Sequence, residues 1–229
     1  LEARKYASAL LMNLLSESIS QQDFFIRFAI AYLTAAIVYF SKQQKAICTL
    51  PHVISLLLRP ETKAIIELIK QDTEAADLIA PIESGLSSEK QTAGVVSTLQ
   101  NALSMCSSPE IFWVLSGNDF DLDLNNQNNP TLLVIGNDST MSAALSPIIS
   151  LTITAGLRKM NARGKAKSIL LLDEAPTLFI PNLEIIPATG RENQIATVYC
   201  AQDISQMEDK YGDKKAEVLL SNLANQFYG

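Results

Sequence analysis

Residues 131–229 set the tightest limit on the fold. Apolar runs of strand length alternate there with segments of helical length. The runs lie at 131–135, 168–172, 195–201 and 226–228, and the spacing predicts helices over 142–161, 203–211 and 213–224 between them. Near-continuous apolar strands separated by helices predict a parallel sheet covered on both faces, hence an α/β fold. A short hairpin is expected just before them, 111–115 and 119–124 turning at Ser116-Gly117-Asn118.

The preceding half has another texture. Up to Ser108 there are only two glycines, Gly85 and Gly94, and apolar residues recur at helical spacing. Leu10, Leu11, Leu14, Leu15 and Ile19 share one face. Thr49 with Pro51 predicts a helix start before 53–58, Pro60 opens a second helix over 61–71, and Ser87 or Ser88 with Gln91 resembles a capping box for a helix reaching Met105. The expected division is an all-α domain over 1–110 and an α/β domain over 111–229.

Composition narrows the chemistry. A hydrophobic fraction of 48% against 18% charged residues excludes a disordered chain, and a net charge of -6 argues against a broadly basic surface. Cys48, Cys106 and Cys200 have no CxxC spacing, and His52 is the single histidine. A disulfide framework and a His/Cys metal site are therefore not expected, and the compartment reads as reducing. Any catalytic triad would run through His52, which reads better as a helix-start residue after Pro51. Residues 24–40 carry only Arg27 and Thr34 outside the apolar and aromatic set. They lie at the bottom of the spanning length, so a buried core helix is the better expectation. Leu1 does not read as a natural start, and the chain is expected to be a fragment whose anchor, if it has one, lies outside it.

One motif carries chemistry. Ile169 to Leu172 run into Asp173-Glu174 at the C-terminal end of an expected strand, the edge beyond which parallel α/β sheets bind ligands. In nucleotide-hydrolysing P-loop enzymes such an aspartate sits near Mg²⁺, and a following glutamate can accept a proton from the attacking water. The bland alternative is a solvated turn. The next expected strand ends at Gln202, a polar residue placed to contact a γ-phosphate, unless the segment is merely a helix start capped by Asp203. Arg191 follows Gly190 in an expected loop, where it could serve as an arginine finger or be an ordinary surface residue.

These residues carry a resemblance. LLVIGNDSTMSAALSPIISL, ILLLDEAPTL, the Gly190-Arg191 pair, and VYCAQDISQMEDKYG running into LLSNLANQFYG match, in order and spacing, the motor domain of TraG/TraD-type conjugative coupling proteins. The resemblance implies a RecA-like P-loop NTPase motor with an inserted all-α domain. It makes Asp173 and Glu174 the Walker B pair, with Asp173 holding Mg²⁺ through water. It makes Gln202 the sensor, Arg191 the candidate finger, and ATP with Mg²⁺ the cofactors. It implies relaxase and relaxosome proteins, a type IV secretion channel and single-stranded DNA as partners. It further implies a homo-hexameric intact protein on the cytoplasmic side of a bacterial inner membrane, the fragment itself being expected as a monomer. Ala175 departs from the family, whose members often carry an aromatic there. The all-α half is matched only by position and helical character.

A larger departure is the absence of GxxxxGK[ST] from the sequence. Without that loop's amides and lysine nothing cradles the phosphates, so the chain alone is expected to hydrolyse ATP poorly or not at all. Arg158, Lys159, Arg163, Lys165 and Lys167 form an acid-free basic stretch. It reads either as cations placed at a helix C-terminus or as a phosphate-contacting surface, with no interleaved aromatic to stack bases. The alternatives to a coupling ATPase are another hexameric DNA translocase and a non-catalytic protein-interaction module.

Overall fold

A computed structural model of the chain describes residues 2–15, 23–85 and 89–228. It divides into two compact units, Leu1–Asp119 with Ala143–Ile148, and Phe120–Ser142 with Ile149–Gly229.

The first unit is helical: α1 Glu2–Leu14, α2 Asp23–Gln43, α3 Leu50–Leu57, α4 Thr62–Ile69, α5 Thr73–Gly85, α6 Glu89–Ser104 and α7 Pro109–Ser116. Helix α2 is its centre, packing against α1, α3, α5 and α6. Ala29, Tyr32, Leu33, Ala35, Ala36, Val38, Tyr39 and Phe40 are all buried, so its apolar stretch serves as a core helix. The buried Thr34 hydroxyl donates to the Ile30 carbonyl at 2.6 Å, within its own helix. Thr49 precedes α3 in extended conformation, and its hydroxyl meets His52 Nδ1 at 2.7 Å rather than a backbone amide. The capping box at Ser87 or Ser88 lies outside the described residues, as does Ile19.

Two expectations fail on either side of Ser116. Residues 111–115 lie in helix α7 and form no hairpin arm. The Ser108 hydroxyl accepts from Ile111 N at 3.2 Å, Pro109 occupies the first helical turn, and Glu110 adds an acid there. Those start signals outweigh the alternation of Ile111 to Leu115. The expected second arm, 119–124, is irregular backbone.

The second unit holds most of α8 Ser142–Met160, then β1 Ser168–Leu172, α9 Ile186–Glu192, β2 Ile195–Tyr199, α10 Ile204–Tyr211 and α11 Asp213–Asn222. Strands β1 and β2 pair in parallel, Ser168 against Ile195 through Leu172 against Tyr199. The fold is thus mostly helical with a small parallel sheet, the α/β class expected. Two runs expected as strands, 131–135 and 226–228, form none. A strand needs a ladder partner for its backbone groups, and neither run has one among the described residues. Leu132 is 87% exposed in consequence. Beyond the turn after β1, Leu178, Ile180, Leu183, Met207 and Leu219 are all buried. Tyr211 ties that layer together, its hydroxyl accepting from Ile180 N at 3.1 Å and donating to Leu178 O at 3.3 Å.

By length and composition, one helical stretch among the described residues, Ser139–Met160, could cross a membrane. Its second half belongs to the unit that carries the sheet, where Ile149, Ser150, Leu157 and Met160 are buried.

Asn125 anchors the start of β1. The side chain is 2% exposed, and its amide donates to Met160 O at 3.1 Å and Ser168 Oγ at 3.2 Å. The Asn125 carbonyl accepts from Ala166 N at 2.9 Å. The loop therefore clamps the end of α8 to the first residue of β1. Asn125→Ala removes the side-chain bonds to Met160 O and Ser168 Oγ from a buried position and is expected to destabilise the chain by about 1–3 kcal/mol. Urea denaturation measures this, and an unchanged midpoint would refute the clamp.

Candidate functional site

The register of the two strands builds the site. Pairing continues past their ends: Cys200 N donates to Leu172 O at 2.9 Å, and Ala175 N donates to Cys200 O at 2.9 Å. Glu174 lies immediately before the second of these bonds and Gln202 two residues beyond it. Both reach one small open pocket of about 80 Å³, lined by Glu174, Pro176, Thr177, Gln202 and Gln206.

Each wall has a local cause. Asp173 and Glu174 leave β1 at a sharp turn in which Glu174 adopts the left-handed conformation, φ 46° and ψ 44°, and Asp173 Oδ1 accepts from Glu174 N at 3.1 Å. Residues Ala175–Thr177 close that turn as a single 3₁₀ segment. On the other side Asp203 caps α10, its carboxylate accepting from Ser205 N at 2.7 Å. The Ser205 side-chain and backbone hydrogen bonds hold the Asp203 carboxyl below the usual range. The capping role weighed for Asp203 and the pocket position of Gln202 therefore coexist, and the first turn of α10 adds Gln206 to the lining. Gln206 was readable in the sequence only as a helix residue. Its pocket position follows from where the cap starts the helix.

Asp173, Glu174 and Gln202 are all exposed at the C-terminal edge of the strands. Neither Asp173 nor Arg191 is among the residues lining the pocket. The loop expected around Arg191 is corrected by the structure: Gly190 and Arg191 sit in the last turn of α9, with Arg191 exposed. The helix forms because Pro187 starts it, and because Gly190 packs it onto β2. A Cβ at Gly190 would stand 3.2 Å from Ile195 Cβ, tighter than most such contacts. His52 lies in the other unit, against Phe112 with ring centroids 5.1 Å apart. No cluster of His, Cys, Asp and Glu fit to hold a metal occurs among the described residues.

The basic stretch is partly neutralised. Lys165 pairs with Asp123 at 2.6 Å, and Lys159 pairs with Asp121. The lysine hydrogen bonds are the leading cause that holds both carboxyls below the usual range. Arg163 and Lys167 are exposed. The arrangement favours the reading as cations around a helix end and its turn, answered by acids of the 120–130 loop.

Against known proteins, the family model described as type IV secretory system conjugative DNA transfer matches residues 2–228. Among solved structures, the chain is similar to a plasmid coupling protein, TrwB, in complex with a non-hydrolysable GTP analogue. That match has a TM-score of 0.74 at 18% identity, over 97% of this chain and 51% of that one. TrwB in complex with ADP and Mg²⁺ matches at 0.74 and 17% identity, with the same coverage. A trigonal form of a TrwB variant in complex with sulphate matches at 0.73 and 17%. The chain spans about half the length of these solved chains. No curated protein sequence matches it.

The lowered Asp121 and Asp123 carboxyls fix a pH dependence. A depressed folded-state carboxyl contributes stability that is present above the ordinary aspartate value of 3.8 and is lost as pH falls through the lower folded value. Urea midpoints are expected to vary less with pH below 3.8 in Asp123→Asn than in the parent chain. Acid limbs of equal slope would show that the Lys165 pair contributes nothing.

Proposed function

The chain belongs to the type IV secretory system conjugative DNA transfer family, and on that premise we propose that it is part of an ATP-driven coupling protein moving single-stranded DNA with its relaxase into a type IV secretion channel. The observation that carries the reading is the meeting of Glu174 and Gln202 in one pocket, at the strand edge where α/β sheets bind ligands. In this reading Glu174 takes the proton from the water that attacks the terminal phosphate, while the bond to the diphosphate breaks. The Gln202 amide meets that phosphate. Asp173 holds Mg²⁺ through water, and Arg191, exposed on α9, reaches toward a neighbouring subunit's nucleotide.

ATP and Mg²⁺ would supply the scissile anhydride and the charge neutralisation, and the residues present fit only its reacting end. The pocket offers a carboxylate and two amides but no cation, and its volume lies well below the roughly 300 Å³ at which small-molecule sites begin. The phosphate cradle must come from groups other than these, so the chain alone is expected to turn ATP over slowly or not at all. Glu174-dependent hydrolysis by the purified chain would contradict that.

The wider setting follows the family. We take the helical unit, expected over 1–110 and carried by α7 to Asp119, as the all-α domain and the sheet-bearing unit, expected over 111–229, as the motor portion. The partners are relaxosome proteins and the secretion channel. The assembly is a homo-hexamer working at the cytoplasmic face of the inner membrane. The decisive experiment is the transfer frequency of a donor strain carrying the Glu174→Gln allele at normal protein level. A fall of about 10²-fold or more is expected. Unchanged transfer would replace the ATPase reading with a non-catalytic interaction module.

A further inference from the structure

We propose that Thr177 is a positioning residue: it holds Glu174 in its left-handed backbone conformation and so fixes where that carboxylate stands. The inference rests on the reading of Glu174 as the general base. Among the described residues three non-glycine positions have positive φ: Glu174, Asn182 and Gln194. Asparagine tolerates this region through its short amide, and Gln194 lies in the connection that enters β2. Glu174 has no such local excuse, and it alone of the three lines the pocket. A non-glycine residue persists in this region only where its surroundings over-determine it, and such positions cluster at functional sites.

The restraint converges on one peptide unit. The Glu174 carbonyl accepts twice from Thr177, from its amide at 3.0 Å and from its hydroxyl at 2.8 Å. Asp173 Oδ1 takes the Glu174 amide, and the next amide, Ala175 N, is committed to Cys200 O across the strand pair. Pro176 limits the turn between them to one φ. The backbone on both sides of Glu174 is thus bonded, and the side chain leaves β1 toward the pocket. Thr177 lines that pocket while its hydroxyl is spent on the Glu174 carbonyl. Its role is therefore to hold the base, not to touch the phosphate.

Two readouts test this. In purified chain, Glu174→Gly is expected to melt about 2 °C or more above Glu174→Ala, because glycine, unlike alanine, adopts a left-handed backbone without steric cost. An equal or reversed order would overturn the claim of strain. In donor strains at normal protein level, Thr177→Val, which keeps the shape and loses the hydroxyl, is expected to lower transfer about 10-fold, and Thr177→Ser to restore it. Loss in both variants, or in neither, would overturn the positioning role. If Glu174→Gln abolishes transfer while Thr177→Val leaves it intact, this inference alone falls. If Glu174→Gln leaves transfer unchanged, the catalytic reading falls and takes the positioning role with it.

Discussion

The site depends on a single strand pairing. Two parallel strands in register, with two further backbone bonds beyond their ends, put Glu174 and Gln202 into the same pocket although they are far apart in sequence. A slip of one residue would turn every side chain of one strand to the other face and separate the carboxylate from the amide. Much of the unit's detail serves this register. Asn125 fixes where β1 begins, Gly190 lets α9 close onto the first residue of β2, and Tyr211 bonds the segment that follows the turn.

The same sheet explains what is left uncovered. On one face of the pair Ile169, Leu171 and Val198 are exposed, with Ile169 at 66%. These side chains alternate with the inward ones along each strand, as the pleat requires. Apolar residues on both faces of a strand are the composition of a sheet buried on both sides. In the helical unit α2 is enclosed by its neighbours, and Leu33, Leu99 and Leu103 are fully buried.

Legibility in the sequence followed the kind of signal. The strand 168–172 and the helices near 142–160, 204–211 and 213–222 were readable because apolar run length and period are local properties. The places of Asp173, Glu174 and Gln202 beyond the strand ends were readable because a strand's end is marked by its first polar residues. The hairpin at 111–124 was misread because alternation in Ile111 to Leu115 hid a stronger helix start in Ser108-Pro109-Glu110. Runs 131–135 and 226–228 have strand composition, but pairing is a property of the partner and is not written in the run itself. The left-handed Glu174, the helix carrying Arg191 and the lining by Gln206 went unread although Thr177, Pro187 and Asp203 stand beside them in the sequence, since the turn bonds, the packing of Gly190 on Ile195 and the position of the pocket show only in the folded chain. The acids that answer Lys159 and Lys165 lay in plain view at Asp121 and Asp123, yet only the folded loop brings them to the basic stretch.

Strand pairing that continues past Leu172 and Tyr199 assembles the pocket. Amide hydrogen exchange and cross-strand contacts by NMR test it most directly. Slow exchange is expected for the Cys200 and Ala175 amides, comparable to those inside the strands, with contacts joining Leu172 to Cys200 and Cys200 to Ala175. Fast exchange at these two amides, or contacts shifted by one residue, would mean that Glu174 and Gln202 are not held together by the sheet.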